Sequence, residues 1–535
     1  MENEMTTEPG DRASQFDVAI VGCGPVGALL ANLLKQYGHK VAVLEREPDI
    51  FYAPRGMGFD DESTRIMQSA GILDRLKAEG HIYQADLELI DRSGKRLGGF
   101  DRRSVGEDLL SGLHGHRHMT LFHQPSLEAT LREEFATGEN AATAYFNHEV
   151  TGITDQGDRV ELNCKDRATD EEHSLIAKYV VGCDGARSTV RKTMNVPRID
   201  LKYTKKYLVV DAIVDDPVYF RTMIPQGGYI LLDGKEAGVL FKGLHGHVRF
   251  DFLQHSETIG QELKTDEDYQ KAARDLIRSR GFDPENFRVI RSVSYTFHAG
   301  MPSKWRVGRL MVAGDAAHLT PPWSGQGLNM GVRDAANLSF KLNLALRGKS
   351  SDRILDTYDE ERRPQSLETI QAAVDMGIRM QNTSPLQIGL RNLAYALSRK
   401  SKFVNRLLFK NWIRKPSYKS GLLGLQHRLS GGPMFQPWVE TAEGKRVRMD
   451  DLIGLNFALI STDSPTGPEV RQFVSELGGV VLKLDCDFFD PSETVCKWYD
   501  EHRINAVLLR PDRVIYDAGR DGQALCRSLL AELRK

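Results

Sequence analysis

Six residues near the N-terminus, Gly22-Cys23-Gly24-Pro25-Val26-Gly27, restrict the fold more than any other stretch of the chain. A short run of strand formers, DVAIV over 17–21, leads into them. The helix-forming ALLANLLKQYG follows over 28–38, and a second apolar run, KVAVLE over 40–45, ends on an acid. Strand, glycine turn, helix, strand and acid in that order give G-x-G-x-x-G its meaning as a dinucleotide-binding turn. Gly22 permits the tight turn, Gly24 lets backbone approach a pyrophosphate, and Gly27 lets helix and strand pack. Pro25 and Val26 open the helix, whose first N–H groups and partial positive charge face the anion. Glu45, 23 residues after Gly22, is placed to accept hydrogen bonds from a ribose, with Arg46 beside it. A glycine turn in an unrelated parallel sheet would lack this full set. The turn by itself leaves FAD and NAD(P) both open.

Two further segments narrow the choice. YVVGCDGARSTVR over 179–191 runs from a strand into Asp184-Gly185, and RLMVAGDAAHLTPPWSGQGLNMG over 309–331 runs from a strand through Gly314-Asp315 and a proline turn into a helix. Together the three segments resemble the signatures of the FAD-dependent aromatic hydroxylases, the single-component class A flavoprotein monooxygenases. Asp315, His318, Pro321, Pro322, Gly325, Gly327, Leu328 and Asn329 form the most specific of the three. PRGMGFDDESTRIMQSAGIL (54–73), LFHQPSLEATL (121–131) and YDEERRP (358–364) resemble most nearly the phenol hydroxylase and 3-(3-hydroxyphenyl)propionate hydroxylase branch.

The resemblance implies bound FAD, NADH or NADPH as a transient reductant, and O2 delivered to a phenolic ring through a flavin C4a-hydroperoxide. It assigns Asp315 to the ribityl hydroxyls, Asp184 to FAD and the nicotinamide cofactor, Arg55 to a place by the flavin and Gln124 to a cofactor contact at a helix start. The helix entered at Gly327 would aim its positive end at the flavin pyrimidine. The nicotinamide cofactor would have no Rossmann domain of its own, and no second G-x-G-x-x-G occurs. Two rivals stay open: a hydroxylase of polycyclic or antibiotic aromatic substrates, and a flavin-binding protein without turnover.

Asp60 falls where the phenol hydroxylase branch carries an aspartate near the substrate hydroxyl, five residues before Arg65. The resemblance makes it the candidate for catalysis: a carboxylate that withdraws the phenolic proton and so pushes electron density onto the ring, with a pKa raised by burial. The competing reading is that Asp60 and Asp61 cap the helix ESTRIMQSAGIL, Asp61 being the better placed. Apolar and polar residues alternate through KKYLVVDAIV, GGYILLDG, GVLFKG and VRFDFL, the pattern of an antiparallel sheet covering a substrate. Tyr229, Arg249, Phe252, Pro322 and Trp323 are candidate lining residues, although a strand Tyr or Phe is more often plain core. His114, His116, His118 and His123 lack a completing carboxylate, and no metal is expected.

Composition excludes several partners. With 71 basic against 73 acidic side chains the chain has no basic excess for nucleic acid. No uninterrupted apolar run reaches membrane-spanning length. MENEMTTEPGDRASQ lacks a basic start and an apolar core, and the expected location is cytoplasmic. Six scattered cysteines without Cys-x-x-Cys spacing read as reduced thiols.

The fold expected is α/β: a Rossmann-like FAD-binding domain with an antiparallel-sheet substrate domain and a C-terminal thioredoxin-like domain. The boundaries are a flexible N-terminus over 1–15, the FAD-binding domain over 16–200 and 301–385, and the substrate domain over 201–300. A basic helical connector covers 386–445, read as solvated rather than membrane-bound, and the thioredoxin-like domain without Cys-x-x-Cys covers 446–535, with a possible role in homodimer contact.

Overall fold

The computed structural model describes residues 14–91, 93–100, 113–224, 227–232, 237–254, 263–381, 384–398, 401, 404 and 417–535. Of the expected flexible N-terminus, residues 1–13 lie outside these residues, whereas Ser14 and Gln15 pair in the first strand; most of the basic stretch after Ser398 also lies outside.

Strand β1 (Ser14–Val21), helix α1 (Pro25–Gln36) and strand β2 (Val41–Glu45) form the first βαβ unit, with β1 and β2 parallel. Helix α2 (Asp61–Ser69) follows a loop. The chain then leaves this layer for strands β3 (Asp86–Ile90) and β4 (Arg96–Phe100) and returns with helix α3 (Gln124–Ala136), strand β5 (Thr143–Phe146) and strand β6 (Glu172–Gly182). Next come the long strand β7 (Arg198–Ile213), β8 (Gly227–Leu231), β9 (Gly238–Lys242), β10 (His247–Leu253), helix α4 (Asp266–Ser279) and the long strand β11 (Arg288–Pro302). Strand β12 (Leu310–Val312), helix α5 (Gln326–Leu346) and helix α6 (Asp356–Met380) complete the dinucleotide domain. Helix α7 (Pro385–Ser398) leads out of it.

The first sheet has β12, β6, β1, β2 and β5 side by side and parallel. Helices cover it, so its strands read as continuous apolar runs: Val18, Ala19 and Ile20 are fully buried. The second sheet runs β11-β7-β10-β9-β8-β3-β4. Its core of long strands is antiparallel, as the alternation implies, but β3 joins β8 in parallel. The second sheet therefore draws two strands from residues 86–100, outside the 201–300 boundary expected for a substrate domain. Sequence order conceals this, because pairing is decided by which edge is free in space.

The C-terminal part carries a four-stranded sheet of β13 (Ala458–Ser461), β14 (Val480–Lys483), β15 (Ala506–Leu509) and β16 (Ile515–Gly519), ordered β14-β13-β15-β16. Strands β13 and β14 are parallel and the other pairs antiparallel. A small sheet from Trp438 onward belongs to the same unit, which begins before residue 446. Helix α7 exposes Leu386, Leu390, Leu393 and Leu397, so its solvent face is apolar where the basic composition of its surroundings suggested a charged one.

Candidate active site

The three glycine- and aspartate-bearing segments meet. A Cβ on Gly22, whose φ is +100°, would stand 2.5 Å from the Cys183 carbonyl oxygen, and one on Gly27 would overlap the Gly22 carbonyl. The first turn is thus pressed onto the second segment at Cys183 and Asp184. Val26 fills the space beside Gly314 and Gly331, bringing the third segment onto the first helix. By contrast a Cβ on Gly24 would meet nothing within 4 Å. That open space lies at the N-terminus of α1, whose first turn has no acidic residue and no side-chain cap, so its N–H groups remain available to an anion.

Glu45 turns back onto the glycine loop: the Cys23 N–H donates to its Oε2 at 2.8 Å. Arg46 is exposed and pairs with Glu47 at 3.1 Å. Asp184 caps its own turn by accepting from the Thr189 N–H at 2.6 Å, while its Oδ1 is buried with no hydrogen-bond partner. Burial pushes that carboxyl up, against the hydrogen bonds it accepts. Asp315 is open to solvent at its surface yet ringed by protein, the position of a group on the floor of a cleft; burial raises its pKa, with His318 and Arg55 opposing. Asp334 positions this floor by accepting from the Gly314 N–H at 3.0 Å, His318 Nε2 at 2.7 Å and Arg362 Nε at 2.9 Å. Helix α5 then begins at Gly325, in the left-handed conformation with φ +60° and without an acidic first turn.

A third wall comes from the 54–60 loop. Gln124, the first residue of α3, accepts from the Arg55 and Gly56 N–H groups at 2.7 Å each, so its side chain shapes the loop, and Arg55 projects into solvent. Leu328 packs on Gly56. Asn329 accepts from the Asp60 N–H at 3.1 Å and donates to the Gly325 carbonyl at 2.7 Å, tying the loop to the start of α5.

Asp60 differs from expectation. It, not Asp61, is the N-cap of α2: its Oδ1 accepts from the Ser63 N–H at 2.8 Å, and its Oδ2 pairs with Arg333. Arg333 also holds Glu62 at 2.6 Å. One Asp60 oxygen caps the helix and the other pairs with Arg333, so protonating Asp60 would weaken its hold on a buried guanidinium.

The second sheet forms the roof. One face packs on α4, and Tyr229 and Phe252 lie in that cluster with Phe250 and Ile277. They point away from the crevice, a correction that follows from the period of two: their neighbours Ile230 and Asp251 take the other face. Arg249 lies on the crevice face and donates to the Pro54 carbonyl. Trp323, from the third segment, packs against Tyr207 at 6.0 Å and donates to the Tyr203 hydroxyl at 3.1 Å, which joins roof to floor. Pro322, beside it in the same turn, is half-buried. Tyr295 sits where Asp315, Arg55, Arg291 and Arg249 all act on its hydroxyl, and burial raises its pKa. Sequence reading missed Tyr203, Tyr207, Tyr295, Arg291 and Arg333; the usable signal was a charged or phenolic residue inside a strand or, for Arg333, inside a buried helix.

The four histidines disperse. His116 bonds Gln68 at 2.8 Å, His118 faces Asp61 at 3.4 Å, His123 bonds Ser126 at 2.8 Å and His114 meets Arg65 at 3.1 Å.

A parallel-sheet domain with an open glycine turn, an aspartate on the cleft floor, an uncapped helix start behind it and a sheet for a roof defines a flavin-binding oxidoreductase. The fit to FAD is carried by the open space at Gly24 and the unpartnered buried Asp184 Oδ1. Residues 15–373 match the family described as FAD binding domain, and residues 431–533 match that described as HcaD C-terminal domain. A 3-(3-hydroxy-phenyl)propionate/3-hydroxycinnamic acid hydroxylase of Burkholderia cenocepacia (strain HI2424) is 31% identical over 94% of this chain and 93% of that protein. Its namesake from Escherichia coli (strain SMS-3-5 / SECEC) is 29% identical over 93% and 91%. The flavin-dependent monooxygenase PieE, solved with FAD and substrate, superposes with a TM-score of 0.79 at 21% identity, covering 97% of this chain and 99% of that one. CabE, an aromatic hydroxylase from angucycline biosynthesis, superposes with a TM-score of 0.74 at 25% identity, covering 98% and 100%. The chain belongs to the FAD-dependent aromatic hydroxylases and is an aromatic-ring monooxygenase.

Proposed function

We propose that the chain hydroxylates a phenolic ring bearing a short carboxylate side chain, of the 3-(3-hydroxyphenyl)propionate kind, in the breakdown of aromatic compounds. The observation that carries this is the near full-length match to relatives named for that substrate, with the 54–73 stretch within it. Arginines at the crevice support an anionic substrate: Arg55 and Arg291 lie on the exposed Phe51 ring at 5.6 and 5.5 Å.

Bound FAD, reduced by NADH or NADPH, supplies the activation of O2. The protein's part is placement and dryness. The α1 N-terminus and Gly24 take the pyrophosphate, with Glu45 toward the ribose; Asp315 takes the ribityl chain, and the start of α5 at Gly327 favours negative charge that builds on the flavin ring. Roof residues hold the aromatic ring and shut out water, which would otherwise divert reduced oxygen to H2O2. Asp184 lies where the nicotinamide cofactor would approach.

The order β14-β13-β15-β16 supports reading the C-terminal unit as thioredoxin-like, without a Cys-x-x-Cys pair for dithiol exchange. Its outer surface would serve a homodimer, and the need for NAD(P)H suits a cytoplasmic site.

The test is NAD(P)H oxidation by the purified yellow protein across a panel of hydroxylated aromatic acids, simple phenols and tricyclic phenols. Stimulation by 3-(3-hydroxyphenyl)propionate with stoichiometric dihydroxylated product is expected. Stimulation confined to the tricyclic compounds would overturn the reading, and a yellow protein that oxidises no NAD(P)H with any of them would point to flavin binding without turnover.

A further inference from the structure

The crevice face of the second sheet is apolar in one row and charged in the next. Register makes the rows explicit. Val293, Val209, Asp251 and Val239 stand directly opposite one another on β11, β7, β10 and β9, and the adjoining row is Arg291, Asp211, Arg249 and Phe241. Residues opposite each other on neighbouring strands share a face. Asp251 therefore sits in a row of valines, and Val209 and Val239 belong to the apolar cluster that contains Trp323 and Tyr207. A carboxylate in such a row is anomalous, since burying an ionised group among apolar side chains is costly without partners.

Its partner is Arg249, whose Nε donates to both Asp251 oxygens at 3.0 Å. One N–H shared between two oxygens uses little of a carboxylate's capacity, which is about four acceptor sites. Arg249 is held independently by the Pro54 carbonyl and by Asp211 at 3.7 Å, and Asp211 also takes Arg291 at 3.4 Å and His247 at 2.9 Å. The Asp251 side chain keeps 12% of its surface open, against 7% for Arg249. Acceptor sites remain on a nearly buried carboxylate that keeps a small opening, on the wall that packs against Trp323 of the third flavin segment.

We propose that Asp251 is the acceptor for the substrate's ring hydroxyl, taking its hydrogen bond in the bound complex and its proton as the ring reacts. This rests on the phenolic reading given above. In the step the phenolic O–H bond breaks, an O–H bond forms on the Asp251 carboxylate, and the electron pair left on the phenolic oxygen is released into the ring. Net charge is unchanged, because the negative charge passes from carboxylate to phenolate beside the guanidiniums of Arg249 and Arg291. Burial raises the Asp251 pKa, with Arg249 opposing, which brings the acceptor closer to a phenol in basicity and favours general-base transfer. Asp60 caps α2 through its Oδ1 and holds Arg333 through its Oδ2.

The test is equilibrium binding of 3-(3-hydroxyphenyl)propionate and of 3-phenylpropionate to the oxidised, FAD-loaded protein, without reductant, followed by calorimetry. A hydrogen bond to a charged acceptor predicts that wild type prefers the hydroxylated ring by about tenfold or more near neutral pH. That preference should fall as pH is lowered through the Asp251 pKa, since the protonated carboxyl is the weaker acceptor. The charged and titratable groups around Asp251 are Arg249 and His247 on its own strand, Asp211 on β7, and Arg291 and Tyr295 on β11. Asp251→Asn should cut the preference to about threefold or less with FAD content unchanged, and Asp251→Glu should restore part of it. Should Asp251→Asn fail to hold FAD, Arg249→Met/Asp251→Leu removes both charges together and should likewise abolish the preference. A preference undiminished in these variants overturns the assignment while leaving the phenolic reading intact; a wild type indifferent to the hydroxyl overturns both.

Discussion

At the scale of single residues, the glycines of the first turn separate folding from binding. A side chain on Gly27 would collide with the Gly22 carbonyl, whereas one on Gly24 would enter open space. Gly27→Ala should therefore displace α1 and lower both the melting temperature and the flavin content. Gly24→Ala should leave the melting temperature of the flavin-free protein unchanged and weaken FAD affinity by about tenfold, the effect of crowding a backbone against pyrophosphate. Flavin absorbance after gel filtration and a thermal melt distinguish the two. Asp60 makes contacts of the folding kind, a helix cap and the pair with Arg333. Asp60→Ala removes a helix cap and half of the anionic partnership of Arg333, and should lower the unfolding free energy by about 3 kcal/mol, measured by urea denaturation, with the coupling of NAD(P)H oxidation to hydroxylation retained in the folded fraction. Increased H2O2 at unchanged stability would return Asp60 to the chemistry.

At the scale of elements, three helices are tied to the C-terminal unit by buried ion pairs. Helix α2 is fixed to α5 through Asp60, Glu62 and Arg333, and to the C-terminal unit through Arg65, which pairs with Asp450 at 2.6 Å. Helices α5 and α6 meet the same unit through Glu361, which holds Lys341 at 2.8 Å and Arg510 at 2.7 Å with all three side chains fully buried. Burial opposes the ionised form of Glu361, but Arg510 and Lys341 prevail and hold its carboxyl at about 2. A carboxyl depressed on folding contributes stability that is complete above its unfolded value and is lost as pH falls through the folded one. Stability should consequently decline from about pH 5 toward pH 2, and Glu361→Gln should flatten that decline in denaturant titrations run at successive pH values. An equally steep acid limb in the variant would remove Glu361 from the account.

At the scale of the whole molecule, the C-terminal unit is part of the core rather than an appendage. Tyr516, Leu508, Leu525 and Leu529 share one apolar cluster with Leu30, Val43 and Phe340 of the dinucleotide domain. Ending the chain at residue 430 would expose that apolar surface and take Asp450 from Arg65 and Arg510 from Glu361, which would keep Lys341 alone. The shortened chain should be insoluble or free of flavin. A soluble, yellow 1–430 fragment would show instead that the unit is dispensable for the FAD site.

That the chain binds FAD and that its three glycine- and aspartate-bearing segments meet was legible in the sequence, because a dinucleotide turn is written in contiguous residues: Gly22, Gly24 and Gly27 are set by local backbone geometry, and Asp184 and Asp315 each stand at a strand end. Strand alternation likewise gave away the roof sheet. What the sequence left undecided was pairing across distance. Whether Asp60 faces a substrate or Arg333, whether Tyr229 or its neighbour lines the crevice, and which sheet receives β3 and β4 all depend on one register or one contact between segments up to 273 residues apart in the chain. Local propensity carries no information about such contacts: a one-residue shift of register exchanges the two faces of a strand, and only the packed tertiary structure fixes which face meets the flavin crevice.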